Sequence, residues 1–318
     1  MEQRRLGTSS LLVPPIVFGG NVFGWSADEA TSFQLLDRLV EAGLTAIDTA
    51  DVYSRWVPGH QGGESETIIG RWLKQRGKRD DVVIMTKVGM EMPGKGSGLS
   101  AAWIRQSVEE SLSRLQTDYI DLYQAHQDDE KTPLTETLGA FADLIRSGKV
   151  RTIGASNYGA ERLDEALAAS DAAGLPRYVS LQPLYSLVER PAYEDTLEAV
   201  CRRHGLGVIP YFSLASGFLT GKYRSKVDLG KSAARGQMVE KYLDARGLGV
   251  LDALDAVAGE TGATQTQVAL AWLIARPGLT APIASASKPE QLGDLVKAAT
   301  LNLSAGHIAQ LDAASAAF

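Results

Sequence analysis

The sequence predicts an α/β fold, specifically a (β/α)8 TIM barrel with an N-terminal β-hairpin, a long loop after strand 7 and a C-terminal helix. Short apolar runs alternate with longer amphipathic ones in eight strand-then-helix units, the pattern of such a barrel. The apolar runs do not alternate apolar and polar residues, which is typical of parallel strands buried on both faces. The length of 318 residues fits one barrel as well as two domains.

Eight strands are predicted in order, at residues 15–20, 44–48, 82–87, 119–125, 150–156, 179–182, 207–211 and 280–285. The helical patterns between them carry start signals. Ser26 with Glu29 is typical of a capping box, and Ser100 precedes the helical pattern of residues 103–115. Glycines stand where four of the helices are expected to end, as left-handed caps require, at Gly43, Gly77, Gly148 and Gly205.

Three segments fall outside the eight units. Residues 2–13, with Gly7-Thr8-Ser9 at their centre, predict a hairpin that closes the bottom of the barrel. Residues 222–249 are polar and too long for a plain connector, so we expect a loop with some helix over the active face. Residues 304–318 predict a last amphipathic helix. Because no linker or charge block interrupts the pattern, residues 1–318 are expected to form a single domain.

Charge and composition exclude several classes of function. The net charge is −6, from 32 basic and 38 acidic residues without a basic cluster, so nucleic acid and anionic membrane are poor partners. No apolar run approaches the roughly 20 residues that span a bilayer, and no signal peptide is indicated. The single cysteine, Cys201, is expected to be a small buried residue, and its isolation favours a cytoplasmic location. No His-Glu-x-x-His motif occurs, so no metal is expected.

Motifs for nucleotide binding and for a serine nucleophile are missing. No Gly-x-Gly-x-x-Gly follows a predicted strand, and no phosphate-loop motif is present. Ser156 is not in a Gly-x-Ser-x-Gly elbow. Dinucleotide binding by a doubly wound domain and hydrolysis by an activated serine are therefore not indicated.

Polar side chains stand instead at the carboxyl ends of the predicted strands, where barrels place their catalytic residues. Asp48 ends the second strand and Tyr53 follows it, while Lys87 ends the third and His126 follows the fourth. Each has an ordinary structural reading, such as a helix cap for Asp48 or a surface aromatic for Tyr53. Their joint occurrence at one barrel mouth favours a site.

These residues lie in motifs of a known family. The motifs are Ala46-Ile47-Asp48-Thr49-Ala50-Asp51-Val52-Tyr53 with Gly63-Glu64-Ser65-Glu66, the segments 85–88, 114–126 and 148–157, and Gln182-Pro183-Leu184-Tyr185-Ser186. Over nearly its whole length the chain resembles an aldo-keto reductase, most closely the bacterial members related to the potassium-channel β-subunit branch.

The resemblance implies a catalytic tetrad at Asp48, Tyr53, Lys87 and His126, for reversible NADPH-dependent reduction of an aldehyde or ketone to an alcohol by hydride transfer. Tyr53 is expected to be the general acid and base. A free phenol titrates near pH 10, so Lys87 is expected to lower the pKa of Tyr53, with Asp48 holding Lys87 in place. A neutral His126 is expected to orient the carbonyl oxygen.

The resemblance also implies a nicotinamide cofactor across the barrel top, bound without a Rossmann fingerprint. The implied contacts are Gly20, Asn21 and Val22 at the first strand, Ser156, Asn157 and Gln182 at the carboxamide, Tyr211 stacked on the nicotinamide ring, Phe212, Ser213, Leu214, Ala215, Gly217 and Lys222 at the pyrophosphate, and Ser285, Ser287, Lys288, Gln291 and Asp294 at the adenosine end. Many relatives carry arginine where this chain has Ser287. NADP(H) is favoured, and NAD(H) stays open.

For the substrate, a small carbonyl compound or alcohol, we expect Phe23, Trp25, Trp56, Tyr185 and the segment 222–249 to ring the mouth. Residues 54–63 form a longer link than many relatives have, and this link either walls the pocket or lies on the surface. A regulatory module that senses the redox state of its cofactor and binds a partner is the alternative function. The sequence leaves the physiological substrate, the direction and the oligomeric state open.

Overall fold

The computed structural model describes residues 1–232 and 234–318, in which strands and helices alternate along the chain. The strands are β1 Arg4–Arg5, β2 Leu12–Val13, β3 Val17–Gly19, β4 Ala46–Asp48, β5 Val83–Val88, β6 Ile120–Ala125, β7 Val150–Ser156, β8 Ser180–Gln182, β9 Gly207–Val208 and β10 Ile283–Ala284. The α-helices are α1 Glu29–Glu41, α2 Glu64–Arg76, α3 Ala101–Leu115, α4 Leu134–Arg146, α5 Ala160–Ala173, α6 Pro191–Glu194, α7 Leu197–His204, α8 Ala245–Thr261, α9 Gln265–Ala275, α10 Leu292–Ala298 and α11 Ala305–Ser315.

The eight strands β3 to β10 form one parallel sheet in the order β10-β3-β4-β5-β6-β7-β8-β9. Its two ends meet, because the Thr280 amide donates to the Val208 carbonyl at 2.8 Å and the Ile283 amide to the Pro210 carbonyl at 2.8 Å. The predicted (β/α)8 TIM barrel is therefore confirmed. β1 and β2 pair antiparallel outside this sheet, as the predicted hairpin.

Apolar side chains form two separate cores. The inner core fills the barrel and consists of Leu6, Val13, Val17, Ala46, Met85, Leu122, Ile209, Ala281 and Ile283. The outer core lies between the sheet and the helices and takes the alternate strand residues, such as Phe18 and Ile47. Because successive strand residues point to opposite faces, burial on both faces requires the uninterrupted apolar runs seen in the sequence.

The hairpin closes the bottom of the barrel. Leu6 is fully buried and belongs to the inner core. Gly7 takes a left-handed conformation at φ 56°, and a Cβ there would lie 2.1 Å from the Val179 carbonyl oxygen. Glycine is therefore required where the hairpin meets the chain entering β8.

Several element boundaries differ from the sequence expectations. The last two barrel strands are two residues long, because Pro210 and Pro282 have no amide hydrogen to donate to a ladder. The cap of α1 is Asp28, which accepts from the Thr31 amide at 2.8 Å, and not Ser26. Ser100 caps α3 as predicted.

The long segment after β9 is mostly short 3-10 turns. They span Ala215–Thr220, Lys226–Lys231 and Gly236–Tyr242, and α8 then begins at Ala245. The predicted mixture of loop and helix is therefore present, and α11 corresponds to the predicted last helix. Cys201 is buried, as expected. Within residues 1–232 and 234–318, none of the helices has the length and apolar character that a membrane crossing needs.

Candidate active site

Three neighbouring strands carry the four predicted catalytic residues to one end of the barrel. Asp48 is the last residue of β4 and pairs with Met85 of β5. Lys87 lies near the end of β5, and His126 directly follows β6. Tyr53 returns to the same place on the turn after β4, in which its amide donates to the Ala50 carbonyl at 3.2 Å.

The Lys87 ammonium is the centre of this group. It donates to Asp48 Oδ2 at 2.6 Å, to the Thr49 carbonyl at 2.7 Å and to the Tyr53 hydroxyl at 2.9 Å. An ammonium has three N–H donors, so all of them are used. Lys87 and Asp48 are fully buried, and an ion pair without water must be satisfied in this way.

Burial and charge act in opposite directions on the Tyr53 phenol. Burial raises its pKa to about 12, and the Lys87 ammonium opposes that rise. The expected effect of Lys87 is therefore present, but burial outweighs it in the protein alone. Burial also favours the neutral amine of Lys87, yet Asp48 and Tyr53 together raise the pKa of this lysine.

His126 is held neutral. Burial, with the positive charges of Lys87 and Arg55, brings its pKa well below the ordinary value for histidine. The ring packs edge-on against Tyr53, with the ring centroids 5.9 Å apart. Its Nδ1 atom is buried and has no partner among the described residues. A neutral imidazole at this position can donate one hydrogen bond to a substrate oxygen.

Two glutamines complete the shell around Asp48. Its Oδ1 atom accepts from Gln182 Nε2 at 2.9 Å and from Gln124 Nε2 at 3.1 Å. Gln182 also donates to Gln124 Oε1 at 3.1 Å. The carboxylate thus accepts hydrogen bonds on both oxygens, which hold it in place beside Lys87.

A cavity opens above these residues at the carboxyl ends of the strands. It brings together many of the residues singled out in the sequence, namely Asn21, Val22, Asp48, Tyr53, Trp56, His126, Ser156, Asn157, Gln182, Tyr211, Phe212, Ser213, Leu214, Gly217, Lys222, Ser285, Ser287 and Gln291. Within residues 1–232 and 234–318 no cluster of three or more histidine, cysteine or acidic residues could hold a metal ion.

Phe23 and Tyr185 do not ring the mouth, contrary to expectation. Phe23 is fully buried and stacks on Phe18 with the ring centroids 5.5 Å apart. Tyr185 is also buried, and its hydroxyl donates to Glu194 Oε1 at 2.6 Å. Both rings belong to the outer core between the sheet and the helices.

Other predicted contacts do not line the cavity with their own atoms. Gly20, Ala215 and Lys288 lie next to lining residues, and Trp25 lies behind Trp56 with the ring centroids 5.4 Å apart. Asp294 does not line it because its Oδ1 atom accepts from Gln267 and Thr264 at 2.6 and 3.1 Å, bonds that join α10 to α9.

One side of the cavity carries polar side chains and an aromatic ring that could contact a planar amide. Ser156 Oγ donates to the Gln182 carbonyl at 2.9 Å, and Asn157 Nδ2 donates to the His126 carbonyl at 2.8 Å. The Tyr211 hydroxyl donates to Asn157 Oδ1 at 2.7 Å, which fixes the aromatic ring beside the two polar residues.

The segment after Tyr211 has an unusual backbone. Phe212, Ala215 and Ser216 take left-handed conformations at φ 55°, 47° and 58°, and Gly217 follows at 94°. Three of these residues are consecutive, and the Ala215 and Gly217 amides donate to the Phe212 and Leu214 carbonyls at 2.7 and 2.8 Å, so the segment forms a tight left-handed turn. Lys222 lines the same part of the cavity. The Lys222 ammonium beside this turn suits an anionic group, such as the diphosphate of a dinucleotide.

The sequence did not single out several lining residues, among them Arg55, Met90, Thr220 and Arg235. Arg235 stacks over Trp25 at 5.3 Å, and its buried Nη2 atom has no partner among the described residues. Burial lowers its pKa. The sequence shows Arg235 only as an arginine in a long polar loop. Because loop arginines are usually solvated, this does not predict a place in the cavity.

Two residues of the extended link 54–63, Arg55 and Trp56, line the cavity, whereas Pro58, Gly59 and Gln61 of the same link are exposed. Trp56 is 45% exposed and lines the cavity with its ring centroid 6.1 Å from that of Tyr53. The link begins with Ser54, whose buried hydroxyl donates to the Phe23 carbonyl at 2.7 Å.

Comparisons with known proteins agree with this architecture. The model of the aldo/keto reductase family matches residues 15–316. The chain is 38% identical over 310 residues to the uncharacterized oxidoreductase YrpG of Bacillus subtilis, covering 95% of this chain and 92% of that protein. It is 32% identical over 324 residues to an L-glyceraldehyde 3-phosphate reductase of Escherichia coli K12, covering 98% of this chain and 92% of that protein. A probable voltage-gated potassium channel subunit beta of Arabidopsis thaliana is 31% identical over 310 residues, covering 94% of this chain and 91% of that protein.

Proposed function

We propose, from the premise that this chain belongs to the aldo/keto reductase family, that it reduces an aldehyde or ketone to an alcohol with NADPH, reversibly. The observation that carries the proposal is the contact of one buried ammonium, Lys87, with both Asp48 and the Tyr53 hydroxyl. A Tyr53 hydroxyl held in this way can protonate an alkoxide that forms in the cavity. Because the family consists of oxidoreductases, a nicotinamide cofactor would supply the hydride.

The cofactor would be held by the groups that line the cavity above β7 to β10. Ser156, Asn157 and Gln182 would bind the carboxamide, with Tyr211 against the ring. The loop at 212–217 and Lys222 would bind the diphosphate, since the Lys222 ammonium suits an anion and lines the cavity together with the loop. Arg235 is a further cation that lines the cavity, and its buried Nη2 atom, which has no partner among the described residues, would also suit an anion. When bound, the cofactor supplies the hydride.

Tyr53 would give its proton to the carbonyl oxygen as negative charge develops there. The phenol is protonated throughout the physiological range, since its pKa is raised to about 12. Lys87 then stabilises the phenolate that remains, because its ammonium is already directed at the hydroxyl. His126 would donate a hydrogen bond to the same substrate oxygen and fix its distance from Tyr53.

We favour NADP(H) over NAD(H) on the residues at the adenosine end. Ser287 and Gln291 line the cavity there, and the Ser287 amide donates to Gln291 Oε1 at 2.8 Å. A serine hydroxyl with the neighbouring Lys288 can bind a phosphate as a hydrogen-bond donor and a point charge. Titration of the protein with NADPH and NADH, followed by fluorescence, measures this preference directly.

Substitution Tyr53→Phe tests the catalytic assignment. Loss of a positioned general acid costs about 100- to 10,000-fold in rate, and the ring that packs against Trp56 and His126 is kept. We therefore expect a loss of that size in kcat/KM for carbonyl reduction, with an unchanged Kd for NADPH. Turnover at the wild-type rate would remove Tyr53 from the mechanism.

A regulatory module is the second candidate, since one relative is named a probable potassium channel subunit beta. The catalytic geometry does not distinguish the two functions. NADPH consumption with a panel of carbonyl compounds supports the enzyme. Tight cofactor retention, negligible turnover of every compound and a stable partner in affinity capture would support the module instead.

A further inference from the structure

The extended link of residues 54–63 places an arginine at the reacting end of the cavity. Arg55 lines the cavity next to Tyr53, Trp56 and His126. The backbone fixes its position, because Ser54 is left-handed at φ 72° and its buried hydroxyl donates to the Phe23 carbonyl. The Arg55 amide also donates to the Val52 carbonyl at 3.3 Å.

The guanidinium of Arg55 has unused donors. In the described part of the chain it makes one hydrogen bond, from Nη1 to the Glu91 carbonyl, which is a neutral acceptor. A guanidinium has five N–H donors in a planar fork that matches a carboxylate or phosphate. Arg55 is partly exposed, so these donors are accessible from the cavity.

The surroundings do not neutralise this charge. Asp48 is the only carboxylate among the described residues that line the cavity, and both of its oxygens are bonded to Lys87, Gln124 and Gln182. The positive charge of Arg55 also reaches His126, where it contributes to the lowered pKa of the imidazole. The guanidinium therefore acts at the place where a carbonyl would be held.

We infer that Arg55 is a specificity-determining residue that selects carbonyl substrates bearing an anionic group, a carboxylate or a phosphate. The inference rests on the proposed carbonyl reduction and adds the class of substrate. Lys222 lies beside Gly217 and is assigned to the cofactor, and Arg235 is held over the Trp25 ring, whereas Arg55 lines the cavity with Tyr53 and His126 of the tetrad. Trp56 and Met90 supply apolar walls for the carbon chain between the two polar ends.

A matched pair of aldehydes tests the inference. 4-Carboxybenzaldehyde and methyl 4-formylbenzoate have similar electronic effects on the carbonyl but differ by one charge. We expect wild-type kcat/KM to favour the acid about 10- to 100-fold, the range for a hydrogen-bonded charge pair. 4-Formylphenyl phosphate against 4-methoxybenzaldehyde gives the phosphate arm and shows which anion is preferred.

The variant Arg55→Gln is expected to lose this preference mainly through a raised KM for the acid, with unchanged kcat/KM for the ester and unchanged Kd for NADPH. Arg55→Lys should restore part of it. Arg146→Gln, which removes the same charge from an exposed helix position, is the matched control and should change nothing.

Two results would overturn the inference: no preference for either anion in the wild type, or an equal loss for acid and ester in Arg55→Gln. Turnover of the ester by the wild type tests the proposed function separately. If neither aldehyde is reduced, calorimetric binding of 4-(hydroxymethyl)benzoate to the NADP complex decides. Binding by the wild type that Arg55→Gln loses supports Arg55, and equal binding by both contradicts it.

Discussion

At the scale of single residues, we propose that the Tyr53 phenol determines the pH dependence of carbonyl reduction. Because its folded-state pKa is raised to about 12, the acid form is complete at lower pH and is lost only as pH rises through that value. His126 has a pKa well below its ordinary value and stays neutral above it. We expect kcat/KM for reduction to be flat between about pH 7 and about pH 10, without a histidine inflection near 6.5. A break near neutrality in a steady-state pH profile would contradict this.

Asp51 is a second buried carboxyl in the same turn, and the mechanism does not use it. Neither of its oxygens has a hydrogen-bond partner among the described residues, and burial with the nearby Glu66 raises its pKa well above the ordinary value. A carboxyl whose pKa is higher in the folded chain than in the unfolded chain contributes most to stability at a pH below the unfolded-state pKa. That contribution is lost as the pH rises through the folded-state pKa. Asp51→Asn should therefore be more stable than the wild type at pH 8, by about 1 kcal/mol or more, with a smaller difference near pH 5.

Thermal unfolding at the two pH values measures the effect of Asp51→Asn. If Asp51→Asn were instead less stable than the wild type by the same amount at both pH values, Asp51 would be ionised and paired with Arg114. The sequence could place Asp51 beside the strand end, but not its protonation. That property depends first on burial in the folded chain, and then on the charges of Glu66 and Arg114, which come from α2 and α3.

At the scale of elements, the left-handed loop at 212–217 is where cofactor affinity should be most sensitive to backbone change. Gly217 lies at φ 94°, a conformation that alanine adopts only under strain. Gly217→Ala is expected to cost about 1 to 3 kcal/mol and to weaken NADPH binding by about tenfold or more. Gly230→Ala is the control, since a Cβ there meets nothing within 4 Å and the φ is not positive. Equal Kd values for the two variants would exclude the loop as the diphosphate site.

The same loop shows what the sequence could and could not predict about the elements. The strand ends were predictable, because Asp48, Lys87 and His126 follow apolar runs that every buried parallel strand must have. The conformations of Phe212, Ala215 and Ser216 were not, since non-glycine residues rarely have positive φ and no local pattern marks them. Phe23 and Tyr185 were misplaced for a similar reason: an aromatic residue on a loop fits either the cavity or the outer core.

At the scale of the whole molecule, we propose that residues 1–318 unfold as one unit, held at its lower end by the hairpin. The hairpin adds Leu6 and Val13 to an inner core whose other members lie in the barrel strands or next to them, so its removal would open that core to water. Leu6→Ala should cost about 2 to 5 kcal/mol, the range for deleting a buried leucine side chain. Leu12→Ala, in the same hairpin but 48% exposed, should cost far less.

The two leucine variants also separate stability from chemistry. The hairpin lies at the end of the barrel opposite the tetrad, so both variants should keep the wild-type kcat/KM at a temperature where they are folded. Calorimetry should give a single transition for each, displaced downward for Leu6→Ala. Two transitions, with only the first displaced, would mean that the hairpin and its neighbouring strands fold apart from the rest. A single displaced transition would show that the packing under the barrel stabilises the whole of it, because the eight strands close around one inner core.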